Sequence, residues 1–178
     1  MEQKITKPSS DTIYYDTTRQ LTWKDFRGTP DEHHFAGAVT SSGYAFDADV
    51  KIEGKIIYMN IGVYTFFSKR TSWKKPIIFS DYHLEHEQHH FDITRISAEK
   101  FIDAVANAKF TMNNYQGLIN TLFDQSYDEC NRLQEQYDKE TKHSLNREAQ
   151  LKWNDQIAAM VSKIYASPSK INHQHRDL

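Results

Sequence analysis

One cysteine, Cys130, stands in 178 residues, so no internal disulfide can form. A lone thiol suits a reducing compartment, and a disulfide-free secreted domain equally. No apolar run approaches 18 residues, which excludes a transmembrane helix. Basic charge is not in excess: 22 Lys and Arg stand against 24 Asp and Glu, a net charge of −2, and nothing argues for nucleic acid. Met1 to Ser10 lacks an apolar segment of the signal-peptide kind. The chain is therefore either cytoplasmic or met after such a segment has been removed. Internal repeats and low-complexity tracts are missing too, and beyond residue 74 the only glycine is Gly117.

What is present points to a folded chain. Hydrophobic residues make up 38%, charged residues 26% and aromatics 13%, with ten Tyr and ten Phe. That is polar for a globular domain but far from the composition of disorder. The length suits one domain over 1–178, with about 1–11 and 167–178 expected to be flexible. Before residue 74, β-prone segments alternate with turns. Thr12 to Tyr15 and Leu21 to Trp23 are short β-prone runs, and Gly28 to Asp31 is a turn. Tyr44, Phe46, Ala48, Val50 and Ile52 alternate as in a half-buried strand; Glu53-Gly54 breaks the run, and Ile57, Met59, Ile61 and Val63 resume it. This predicts a long hairpin. Pro76 suits a first helical turn, and no Gly or Pro follows from Ile77 to Ala108. A second helix is expected from about Asn113, with Leu118, Leu122, Cys130 and Tyr137 on one stripe, and a third from about Asn146 to Tyr165. The fold class expected is α+β: a small, mostly antiparallel sheet followed by a three-helix unit.

The first helix contains His86-Glu87-Gln88-His89-His90, an HExxH pattern. Residues four apart leave one face of a helix, so His86 and His90 can both reach one Zn²⁺ at about 2.0–2.1 Å. Glu87 sits about 100° round the helix, beside such an ion, where it can act as general base. A catalytic zinc takes three protein ligands and keeps one open position. The second helix ends in Tyr137-Asp138-Lys139-Glu140-Thr141-Lys142-His143. Packed antiparallel on the first, it could bring His143 or Glu140 over the pair. His143 ranks first as metal ligand, because an all-histidine site leaves more positive charge to acidify a bound water. Glu140 remains open, with His143 then stabilising an oxyanion. Tyr137 is an oxyanion candidate or a core residue. Asp92 is an outer hydrogen-bond partner for a ligand imidazole or a structural residue.

The chain resembles a bacterial family of predicted secreted zinc-dependent proteases, catalogued as a domain of unknown function. The resemblance rests on Leu21 to Gly28, Ala38 to Gly43, Ser72-Trp73, His86 to Ile93, and Tyr137-Asp138, Glu140-Thr141 and His143, followed by Gln150 and Trp153. Ser144 departs from a glycine expected after the histidine, and His89 from a smaller or polar residue. The resemblance implies a zincin-like metallopeptidase with Zn²⁺ as cofactor, a peptide or protein substrate, and a secreted or periplasmic location with the export signal already removed. Thr40 to Gly43 could edge its cleft. A non-catalytic zinc-binding domain and a metal-free interaction module are the competing expectations.

Overall fold

The computed structural model describes residues 11–166, apart from position 79. The expected flexible ends, apart from residue 11, lie outside the described residues. Strand β1 (Thr12–Tyr14) is followed by a 3-10 turn at Trp23–Asp25, then β2 (Ala38–Val39), β3 (Ser42–Glu53), β4 (Ile56–Ser68) and β5 (Trp73–Lys74). Helices α1 (Asp81–Asn107), α2 (Tyr115–Thr141) and α3 (Arg147–Ala166) complete the chain. The architecture is α+β, with a small antiparallel sheet and three helices.

The β3–β4 hairpin pairs Glu53 with Ile56 at its tip and Ser42 with Phe67 at its base. Gly54 takes φ +60° in the turn, where a side chain would be strained. β1 pairs with the other edge of β4, giving the order β1-β4-β3. A separate two-stranded pairing of β2 with β5 was not expected. It depends on partners some 35 positions apart, and two-residue strands carry no periodicity. The run Leu21 to Trp23 is not a strand. Its backbone donors are taken by side chains: Leu21 N donates to Gln88 Oε1 (2.8 Å) and Thr22 N to Asp25 Oδ2 (2.9 Å).

The first helix begins later than Pro76 suggests. Ile78 N donates to Lys75 O in a turn, and Ser80, with extended backbone, accepts from His83 N at 3.3 Å. A serine cap is the stronger start signal here. α1 then runs through the middle of the molecule. Ala98, Phe101 and Val105 pack with Tyr44 and Ile61 of the hairpin and with Ile119 and Cys130 of α2. Phe91 packs with Ile13, Leu21, Phe26 and Phe67. Ile93 and Ile96 meet Tyr137, Trp153 and Ile157 of α2 and α3. Truncating a fully buried ring such as Phe101 would cost about 3–5 kcal/mol. The far half of the hairpin extends beyond this support and is largely exposed.

Candidate metal centre

His86 and His90 leave the same face of α1 with ring centroids 4.9 Å apart. α2 runs antiparallel to α1, so its last turn lies against the first turns of α1. This places Asp138 opposite the two imidazoles. Asp138 Oδ1 lies 3.2 Å from His86 Nε2 and 3.1 Å from His90 Nε2. One ligand atom from each of the three residues falls within 4.8 Å of the others.

Two glutamines determine which nitrogens face Asp138. Gln150, fully buried on α3, accepts from His86 Nδ1 at 2.9 Å. Its amide nitrogen donates to Tyr137 Oη (2.6 Å) and Asn154 Oδ1 (2.8 Å). Tyr137 Oη in turn donates to His86 O at 3.3 Å. Gln134 on α2 repeats the arrangement: Oε1 accepts from His90 Nδ1 (2.5 Å) and Nε2 donates to His90 O (2.8 Å). A backbone carbonyl can only accept, so the amide orientations follow. Both histidines are thereby held with the proton on Nδ1. In their neutral forms both Nε2 lone pairs then point at a carboxylate oxygen. Acceptors facing one another call for a cation between them, and two imidazoles with one carboxylate fit zinc, with amide carbonyls behind the imidazoles.

The electrostatics carry the same pattern. Burial works against charge on His90, but hydrogen bonding to Asp138, the charges of Glu87 and Asp138 and the contact with Gln134 outweigh it, raising its pKa to about 8. Burial also opposes charge on Asp138, yet the hydrogen bonds from His86 and His90 and the nearby charges of His90 and His143 hold its carboxyl below the usual range. Without a metal, the site gathers a proton where a cation would sit.

The centre opens on a cavity of about 620 Å³ whose lining includes Glu87, Thr40, His143 and Phe35. Glu87 is buried, and its Oε2 accepts from Thr40 Oγ1 at 2.7 Å. Thr40 lies between β2 and β3, so the sheet side of the cleft holds the carboxylate. His143 lines the same cavity beside Asp138, with Nδ1 3.2 Å from the same Oδ1. It is carried by a turn in which Lys142, His143 and Ser144 all have left-handed backbones, φ 51°, 51° and 70°. Ser144, where glycine was expected, is buried and its carbonyl accepts from Tyr82 Oη, so surrounding contacts hold the strained turn.

The expected site residues are thus partly assembled. His86, Glu87 and His90 come together as the HExxH spacing predicts, and His143 joins them beside Asp138. Glu140 does not: it is exposed on another face of α2, accepting from Trp153 Nε1 (2.8 Å) and Gln136 Nε2 (2.8 Å). It lies three positions before His143, but the left-handed turn takes His143 off the helical face they would share. Tyr137 is fully buried and stacks on His86 (4.6 Å, 21°), with its hydroxyl engaged by His86 O and Gln150; that leaves no role as oxyanion donor. Asp92 touches neither His86 nor His90. It accepts from Tyr15 Oη (2.8 Å), Gln88 Nε2 (2.9 Å) and His89 Nδ1 (3.0 Å), tying α1 to the N-terminal segment. Sequence reasoning missed Asp138 and Gln134. Their own spacing of four, matching that of His86 and His90 on an antiparallel partner, was the available signal.

The fold is α+β, and its central helix presents an HExxH pair to a carboxylate on an antiparallel neighbour. The chain belongs to the family of bacterial proteins of unknown function DUF922, which matches residues 47–144, more than half its length. That stretch holds His86, Glu87, His90, Asp138 and His143 and stops short of Gln150. No curated protein and no solved structure matches the chain.

Proposed function

We propose that the protein is a zinc-dependent metallopeptidase of the HExxH, zincin-like type, acting on peptide or protein substrates outside the cytoplasm. The observation that carries this reading is the convergence of two imidazole Nε2 atoms and a carboxylate oxygen beside a buried glutamate in one cleft. His86, His90 and Asp138 would hold the ion, a set that replaces His143 with Asp138. Zinc, when bound, would acidify a water and polarise the scissile carbonyl. Glu87 then takes the proton of the attacking water and passes it to the leaving amine nitrogen. Thr40 holds Oε2 of Glu87, leaving Oε1 for that proton. Nδ1 of His143 faces Asp138 Oδ1, which can only accept, so His143 donates from Nε2 to a tetrahedral oxyanion only as the imidazolium. The secreted or periplasmic location rests on the sequence resemblance alone.

The test compares zinc content by mass spectrometry, then peptide hydrolysis. About one zinc per chain in the wild type, lost in His86→Ala, is expected. Glu87→Gln should keep the zinc and lower hydrolysis about 10²–10⁴-fold. Zinc retained with no Glu87-dependent hydrolysis would instead identify a non-catalytic zinc domain. No zinc in the wild type, even when offered, would sink the reading.

A further inference from the structure

The most exposed large apolar side chains among the described residues are Leu145 at 80%, Phe35 at 76% and Ile77 at 75%. They come from three segments far apart in sequence: the loop before β2, the loop between β5 and α1, and the turn between α2 and α3. Two of the three share one place. Phe35 and Leu145 line the cavity of the metal centre, and so does Ile78, the neighbour of Ile77. A Cβ added at Gly37 would meet Ile78 Cγ1 at 2.8 Å, so the loop carrying Phe35 runs directly against Ile78. None of the three packs into the cores around α1. Single exposed apolar residues are ordinary. A concentration of the most exposed ones around one cleft marks a binding surface.

The rim is continuous with the centre. The ring of Phe35 lies 4.7 Å from that of His143, and His143 Nδ1 lies 3.2 Å from Asp138 Oδ1. Glu87, Phe35 and Leu145 line the same cavity, so a chain laid across it with a peptide bond at Glu87 has Phe35 and Leu145 to meet a neighbouring side chain. We propose that this rim is the subsite for an apolar side chain, aliphatic or aromatic, of the substrate residue flanking the hydrolysed bond. The proposal rests on the metallopeptidase reading and adds the substrate class to it.

The test uses the zinc-loaded full chain on a complex peptide mixture, with cleavage sites read by mass spectrometry. Wild type should show Leu, Ile, Met or Phe enriched at one position beside the cut. The double variant Phe35→Ser/Leu145→Ser should keep its zinc and melting temperature, lose the enrichment, and show KM raised about tenfold or more for apolar-flanked peptides. Cleavage without apolar enrichment, or enrichment unchanged in the double variant, would overturn the proposal. Failure of hydrolysis itself is separated by a binding arm. A fluorescent glycine-serine decapeptide with one central leucine is titrated onto Glu87→Gln protein beside the same peptide with serine there. Tighter binding of the leucine peptide, abolished by the rim substitutions, keeps the subsite even where the peptidase reading fails; equal binding removes it. Light scattering completes the test: a dimer that dissociates in the double variant would assign the rim to self-association and overturn the proposal.

Discussion

On one face of α1, His89 meets one acceptor per ring nitrogen: Nδ1 at Asp92 Oδ2 (3.0 Å) and Nε2 at Asn154 Oδ1 (3.1 Å). About a third of a turn away, His86, His90 and, from α2's end, His143 all bring a nitrogen to within 3.2 Å of the single oxygen Asp138 Oδ1. The first arrangement gives each ring nitrogen an oxygen of its own. The second crowds three imidazoles onto one oxygen that has two lone pairs. The two faces of α1 thus separate a histidine tied into the fold from histidines gathered where the proposed zinc would sit. Sequence proximity alone would have grouped His89 with His90.

Substitutions can break this contrast, and the largest effect is expected on the crowded face. Asp138→Ala should weaken zinc binding by more than about 100-fold, and Gln134→Leu, which removes the acceptor from His90 Nδ1, by about 10–100-fold, both read by competition with a chelating dye. Stability should change little by comparison in the zinc-free state of Gln134→Leu. On the other face the pattern reverses. His89→Ala should lower unfolding free energy by about 2 kcal/mol in denaturant titration, because Asp92 and Asn154 lose a buried partner, while zinc affinity stays within a few-fold. A loss of zinc in His89→Ala as large as in Asp138→Ala would erase the distinction.

The smallest effect sharpens the contrast through pH. His90 has its folded pKa raised to about 8 from 6.5. Its contribution to metal-free stability is therefore complete below about 6.5 and lost as pH rises through about 8. Zinc requires the unprotonated imidazole, so zinc affinity should rise across the same interval. Melting curves at pH 6 to 9, with chelator and with zinc, should diverge in that window, and His90→Gln should flatten the chelator series.

The hairpin, the three helices and the HExxH face were legible because each repeats a period over many residues. Tyr44 to Ile52 alternates, and His86 and His90 need only one helix between them. What escaped depends on partners brought by the fold. The 3-10 turn at Trp23–Asp25 exists because Gln88 and Asp25 capture backbone donors of Leu21 and Thr22. β2 and β5 are strands only in each other's company. Asp138 was passed over for His143 and Glu140 because the helix was expected to continue past Thr141. The left-handed residues 142–144 end it there and bring His143 Nδ1 to Asp138 Oδ1 from off the helical face.

The centre is also discontinuous in the order of synthesis. Its proposed ligands come from α1 and α2, but the amide that fixes the proton of His86 comes from Gln150 on α3, the last element of the described chain. A ribosome-bound chain that has released only α1 and α2 would carry every ligand and still lack that amide. For a protein read as a peptidase, that amide arrives only with α3, the last of the described elements. Shortening the chain before residue 147 would leave the HExxH motif whole and its imidazole free to take the wrong tautomer.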